Sequence, residues 1–113
     1  MNATLNKVEL LGYAGMNAEL VEFEKGNALL KFSLATNEDY QKTNGEWVKN
    51  TTWHNIVMWG EAARKASKEV TKGAKIQLQG KIVSQTYTDK SGVKRISFKI
   101  QTEAITPIKE VQE

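Results

Sequence analysis

The sequence contains no cysteine. That absence excludes a disulfide framework, a Cys-rich zinc site, an iron–sulfur cluster and a thiol nucleophile. There is one histidine, His54, so a metal would have to be held by carboxylates beside it, and neither metal nor cofactor is expected. A single proline, Pro107, leaves no proline-rich linker, and there is no internal repeat or low-complexity stretch. No apolar run approaches the ~18 residues of a membrane span. The opening MNATLNKVELLG lacks a basic region followed by an apolar region and a cleavage site. Catalytic signatures are missing as well, with no Gly-rich phosphate loop, no H-E-x-x-H and no G-x-S-x-G. The expectation is a soluble intracellular domain that is not an enzyme and has no membrane partner.

What is present is an ordinary globular composition, 113 residues of which 40% are hydrophobic and 26% charged. A chain of this mass removes about 12,000 Å² from water on folding, enough for one core without staples. The net charge of +3 is unevenly placed: residues 1–56 carry 5 basic and 7 acidic side chains, residues 57–113 carry 11 and 6. One basic half hints at a polyanionic partner.

Alternating apolar residues predict strands over 6–11, 28–36, 51–59, 75–87 and 94–104, with 18–23 as a further pairing segment. Leu30, Phe32 and Leu34 share one face, as do Ile76, Leu78 and Ile82, and Ile96, Phe98 and Ile100 are expected inward. Residues 37–50 read as a polar hairpin loop turning at Asn44-Gly45, and Asp89-Lys90-Ser91-Gly92 as a tight turn. The one helical pattern covers 61–71, where Ala62, Ala63, Ala66 and Val70 form a stripe closed by Gly73. Pro107 marks where the sheet should stop, dividing a domain over 1–106 from a short end over 107–113. Five main strands, with one helix between strands 3 and 4, fit a small closed β structure of the partly open barrel type, which leaves no long edge exposed. A small α+β roll is the competitor.

The segment Thr52-Trp53-His54-Asn55-Ile56-Val57-Met58-Trp59-Gly60 is the most informative. On a strand, Trp53, Asn55, Val57 and Trp59 share one face while His54, Ile56 and Met58 make a sensible core face. Two tryptophans, about 20 Å apart along the strand, are thus left on the opposite surface. They could cover a second core or a subunit contact, or they could be platforms for unpaired bases. Tyr40 and Trp47 in the polar loop, and Tyr87 on a strand face shared with Gln77, Gln79, Lys81, Val83 and Gln85, favour the platforms. Aromatic rings on wet surfaces among basic side chains suit a single-stranded nucleic acid, with charge for phosphates and π-faces for bases. The basic candidates are Lys42, Lys49, Lys72, Lys81, Lys90, Lys94 and Arg95.

Over about its first 104 residues the chain resembles the bacterial single-stranded DNA-binding proteins. The resemblance is carried by Asn6-Lys7-Val8-Glu9-Leu10-Leu11-Gly12, Phe32-Ser33-Leu34-Ala35-Thr36-Asn37-Glu38, the Trp53–Trp59 segment, Lys72-Gly73 with Gly80, and Tyr87-Thr88-Asp89-Lys90-Ser91-Gly92. It implies an all-β OB-fold, a five-stranded Greek-key barrel, and binding of single-stranded DNA without strong sequence preference during replication, recombination and repair. A primosomal accessory protein or an RNA-binding module of the same superfamily is the alternative. The resemblance puts stacking aromatics at Tyr40, Trp53, Trp59 and Tyr87, and implies a cytoplasmic, nucleoid-associated homotetramer with subunit contacts near Val8, Leu10, His54, Gln77 and Gln79. Asn55, Glu61 and Val83-Ser84-Gln85-Thr86 stand where relatives often carry basic residues, so a shallow salt dependence is expected. Recruitment of replication proteins through an acidic tail is not expected, because residues 107–113 form no such tail.

Overall fold

The structure, a computed structural model, describes residues 4–109. Among these residues the order of elements is β1 (Val8–Ala14), β2 (Glu19–Glu22), a 3-10 turn (Glu24–Gly26), β3 (Ala28–Asn37), β4 (Tyr40–Gln41), β5 (Trp47–Val48), β6 (Thr51–Trp59), α1 (Glu61–Ser67), β7 (Lys75–Thr88) and β8 (Lys94–Pro107). Six strands form one sheet in the order β1-β7-β8-β6-β3-β2. Because β1 also pairs with β3 through Tyr13 and Ala14, the pairings run in a ring.

The core follows the alternation closely. Leu30, Phe32 and Leu34 on β3, Ile56 and Met58 on β6, and Ile76 and Leu78 on β7 all point inward and are buried. Ala63, Ala66 and Val70 close one side of this cluster. The helix sits between β6 and β7, which corrects its expected position between strands 3 and 4. The strand count rises because the pairing segment 18–23 forms a strand of its own, β2, and because the expected loop contains β4 and β5. The helix is also shorter than the expected 61–71. Ser67 Oγ donates back to the Arg64 carbonyl (2.7 Å), and the Glu69 amide bonds three residues back to Ala66 (2.9 Å), tightening the last turn into 3-10 geometry.

Two arms leave this body. The first corrects the polar loop: β4 and β5 pair Tyr40 with Val48 and Gln41 with Trp47, in the same register as the β3–β6 ladder, to which the Glu38–Asn50 backbone bond (2.8 Å) connects them. Its tip is the expected Asn44-Gly45 turn, with Gly45 at φ +90°. The second arm is the β7–β8 hairpin, paired without a break from Gly80–Thr102 to Thr88–Lys94. Its partner strand β1 reaches no further than Gly80, so about 26 Å of hairpin projects beyond that point.

This projection overturns one expectation. Ile82, Ile96 and Phe98 keep the parity of the core but are 49%, 61% and 64% exposed, because no strand of the body covers the inner face there. A bulge between Gln79 and Gly80 marks the departure point, and buried Thr102 pins it by donating from Oγ1 to the Gln79 carbonyl (2.6 Å). The chain exposes 8853 Å², against roughly 6,200 Å² for a compact chain of its mass, and projecting arms are a shape that raises exposed area. The sheet stops at Pro107. Of the expected end segment 107–113, residues 110–113 lie outside the described residues.

Candidate nucleic-acid interface

Strand β6 presents two chemically different faces. Ile56 and Met58 face the core, whereas Trp53 and Trp59 are 59% and 52% exposed on the other side. The β3 residues opposite them in register are Ala35 for Trp53, Ser33 for Asn55, Lys31 for Val57 and Leu29 for Trp59. Directly paired residues share a face, so Lys31 and Ser33 belong to the tryptophan surface. Each tryptophan is held by something small or flat. Gly15 lies so close to Trp53 that a methyl group on it would come within 2.4 Å of ring atom Cζ3. Phe23 stacks on Trp59 with ring centroids 6.3 Å apart and planes 23° from parallel.

Next to Trp53 the body opens. Strands β6 and β8 run parallel but pair only at Ile56–Ile100 and Val57–Gln101, and toward their N-termini they diverge. The two arms therefore leave the same end of the sheet, and the gap between their roots is a groove. One cavity of about 350 Å³ is lined by Trp53, His54, Asn55, Ile82, Phe98, Lys99 and Ile100. A second, of about 240 Å³, shares Asn55 and Lys99 with it and adds Met16, Glu19, Lys31, Ser33 and Val57. A third of about 320 Å³ joins Met16, Ser33 and Trp53 beside Gly15. Lys31, Lys99, Phe23, Met16 and Phe98 were not singled out from the sequence. Parity against β6 could have found Lys31. The others depend on tertiary placement: Phe23 on its stacking against Trp59, and Met16, Phe98 and Lys99 on where the strands leave a gap.

The expected aromatic residues are only partly brought together. Trp47 continues the parity of Trp53 and Trp59 along the first arm, while Tyr40, one pair away, takes the opposite face. Tyr87 is across from Arg95 near the end of the second arm, on the hairpin face that also carries Lys81 and Lys99. Among the basic candidates, Lys42 and Lys49 flank the first arm's strands, and Lys90 and Lys94 lie at the second arm's tip. Lys72 is brought beside the β1–β2 junction by a bond from its amide to Asn17 Oδ1 (2.8 Å). Lys81 lines a separate cavity with Asn6 and Gln101. Arg95 is committed elsewhere: its Nε donates to Asp89 Oδ2 at 2.5 Å. That bond, with the Val93 and Ser91 amides, holds the Asp89 carboxyl below the usual carboxylate range. Glu61 pairs with Arg64 (2.8 Å).

The expected contact residues divide in the same way. Gln77 and Gln79 are exposed, opposite Leu11 and Glu9 on the outer face of β1, and Gln79 Nε2 donates to Glu9 Oε1 (2.8 Å). Leu10 pairs with Leu78 and packs on the core, so it does not share that face; Val8 has its parity. His54 is half-buried, with Nε2 2.9 Å from Thr36 Oγ1 in a shared hydrogen bond. Among the described residues there is no cluster of His, Asp or Glu that could hold a metal, and no helix is long and apolar enough to cross a membrane.

Comparison with known proteins bears on the family and the fold. Residues 5–108 match the Single-strand binding protein family. Single-stranded DNA-binding proteins of Neisseria meningitidis serogroups A and B are each 38% identical over 97 residues, 86% of this chain and 56% of theirs. Single-stranded DNA-binding protein 1 of Chlorobaculum tepidum is 34% identical over 85% of this chain and 60% of its own. The chain thus spans a little over half the length of these curated relatives. Among solved structures, a Plasmodium falciparum SSB complex with ssDNA superposes with a TM-score of 0.83 at 24% identity, covering 96% of this chain and 100% of that one. A deletion mutant of the single-stranded DNA binding protein from Thermus aquaticus gives 0.79 at 23% identity, covering 93% and 51%. These likenesses establish the fold as an OB-fold-like β-sheet domain with one helix. With the family match running almost from end to end, the chain belongs to the single-strand binding protein family.

Proposed function

We propose that the chain binds single-stranded DNA without strong sequence preference and coats it during replication, recombination and repair, performing no catalysis. The observation that carries this reading is the pair of exposed tryptophans on one face of β6, beside a groove bordered by Lys31 and Lys99. Stacking on a ring is available to every base, and lysines neutralise phosphates, so affinity is bought without reading sequence. In this reading Trp53 and Trp59 are the central platforms and Tyr40, Trp47 and Tyr87 engage the strand along the arms. Lys42, Lys49, Lys72, Lys81, Lys90 and Lys94 add longer-range attraction. Family membership and the DNA-bound relative support it. The ring of pairings is read as a partly open Greek-key barrel.

The edge of β1 over 8–12 that faces away from β7 and the outer face carrying Gln77 and Gln79 support a homotetramer, and the DNA-binding reading itself implies action in the cytoplasm on the nucleoid. Repeating the site in one particle raises avidity along a strand. Tryptophan fluorescence titrated with poly-dT tests the central claim. Trp53→Ala and Trp59→Ala should each weaken binding by about 1–3 kcal/mol while the far-UV spectrum stays unchanged. Unchanged affinity in both folded variants refutes it. Light scattering tests the assembly, and a monomer at micromolar concentration refutes that part alone.

A further inference from the structure

The cavity at the root of the two arms has a shape that sequence-tolerant stacking on exposed platforms does not require. Its volume of about 350 Å³ is at the small end of the ~300–1,000 Å³ range of small-ligand pockets. Trp53, Phe98, Ile82 and Ile100 are its apolar lining. Phe98 is more exposed than Trp53 or Trp59, at 64%, although its parity is that of the core. Phe98 thus lines the same cavity as an indole, and among the described residues no aromatic ring stacks on it. The polar groups at the same place are few: the Asn55 amide, which offers both donor and acceptor, the Lys99 ammonium, and the His54 ring, whose Nε2 is already engaged with Thr36 Oγ1. Asn55 and Lys99 also line the adjoining 240 Å³ cavity with Lys31 and Ser33, so they stand where one compartment passes into the next.

We infer that this cavity is a pocket for one unstacked nucleobase of the bound strand, with Phe98 as its second ring wall. Resting on the DNA-binding reading above, the inference adds a residue and a mode to it. The base enters between Trp53 and Phe98, its edge meets the Asn55 amide, and its backbone phosphate lies at Lys99 and Lys31. Charge complementarity selects this occupant over a purely apolar one, because Lys99 lines the Phe98 pocket with no carboxylate beside it, and in the adjoining compartment Lys31 and Lys99 outnumber the single carboxylate, Glu19. A base has the flat apolar faces for the rings and the polar edge for the amide. Binding is thereby given one position per domain that is sensitive to a missing base, although the platforms are tolerant.

The test compares the wild type, Phe98→Ala and Phe98→Tyr on oligo-dT, on oligo-dT carrying single abasic positions, and on inorganic polyphosphate. Phe98 is exposed, so truncation leaves the core intact, and circular dichroism checks this. Phe98→Ala should lower oligo-dT affinity about 5-fold or more, as expected for loss of one stacked ring, and Phe98→Tyr should restore it. Polyphosphate binding should be equal in all three, since it has no bases. A 5-iodouracil oligonucleotide should photocrosslink to the tryptic peptide of residues 96–99. Should Phe98→Ala bind oligo-dT like the wild type while Trp53→Ala does not, the pocket is refuted and the function stands. A wild type that ignores oligo-dT removes the function itself. Equal losses on DNA and polyphosphate would show that Phe98 only positions the hairpin. A fall in particle mass on Phe98→Ala would identify a second copy as the occupant. Either result overturns the pocket.

Discussion

A methyl group added at Gly15 tests how the position of the Trp53 ring controls binding, without touching the ring's chemistry. The added Cβ would lie 2.4 Å from Trp53 Cζ3, 2.8 Å from Cη2 and 3.0 Å from Ser33 Oγ. Carbon atoms prefer about 3.5–4.0 Å, so the indole must retreat by roughly 1 Å or more. It can do so cheaply, because it is largely exposed and has open solvent on its far side. Gly15 is not among the glycines with positive φ, so alanine is conformationally tolerated there. The lower entropy of the unfolded chain contributes about 0.4–1 kcal/mol in its favour, set against the disturbed ring packing. Net stability should therefore change by about 1 kcal/mol or less. Binding should change more: a displaced platform forfeits part of the ~1–3 kcal/mol that a stacked base is worth. Gly15→Ala is expected to lie between the wild type and Trp53→Ala in fluorescence anisotropy with labelled oligo-dT, with urea unfolding measured in parallel. In a Trp53→Ala background the methyl group has no ring to displace, so Gly15→Ala should add nothing further. Wild-type affinity in the single variant, with Trp53→Ala weakened, would show that the ring works equally well from its displaced position. A further loss in the double variant would show that the methyl group obstructs the strand directly. Either result refutes the reasoning.

Three other perturbations probe different parts of the structure. Lys31→Gln and Lys99→Gln should each reduce the slope of log K against log salt by about 0.7, the value of one phosphate contact on a single strand; a slope that does not move takes that lysine off the phosphate path. Gly12→Ala would bring a Cβ within 2.1 Å of the Ala35 carbonyl oxygen, and because both sides are backbone the β1–β3 closure must open. The cost should be at least the ~1–3 kcal/mol of an overpacked core, seen as a lowered urea midpoint, and an unchanged midpoint would show that the strands separate freely. At the hairpin tip the Arg95 bond and the Val93 and Ser91 amides depress the Asp89 carboxyl. Its contribution is therefore fully present above the unfolded value of about 3.9 and is lost as pH falls through the lower folded value. Carboxyl NMR should show the turn unchanged from pH 8 to 5 and loosening only in stronger acid, with Arg95→Gln moving the titration upward; a downward move would contradict the assignment.

Alternation along single strands was legible without any structure. Leu30, Phe32, Leu34, Ile56, Met58, Ile76 and Leu78 are buried as their spacing requires, and Trp53 and Trp59 share the opposite face, because a period of two is built into an extended backbone. The Asn44-Gly45 turn and the Asp89–Gly92 turn are likewise local: they depend on backbone angles and side-chain bonds within a few residues. Parity names which residues share a face, but says nothing of what covers it. Ile82, Ile96 and Phe98 obey the inward pattern and still lie in the open, because β7 and β8 outrun β1 and diverge from β6. Lys31 and Lys99 meet beside Asn55 only because β3 and β8 come to flank β6, and both are far from it in the chain. Leu10 and Gln77 were grouped as contact residues by resemblance, yet the β1–β7 register turns them to opposite faces. Which rings form platforms, and where the groove opens, are decided by strand length and partner register, and these exist only once the chain has closed on itself.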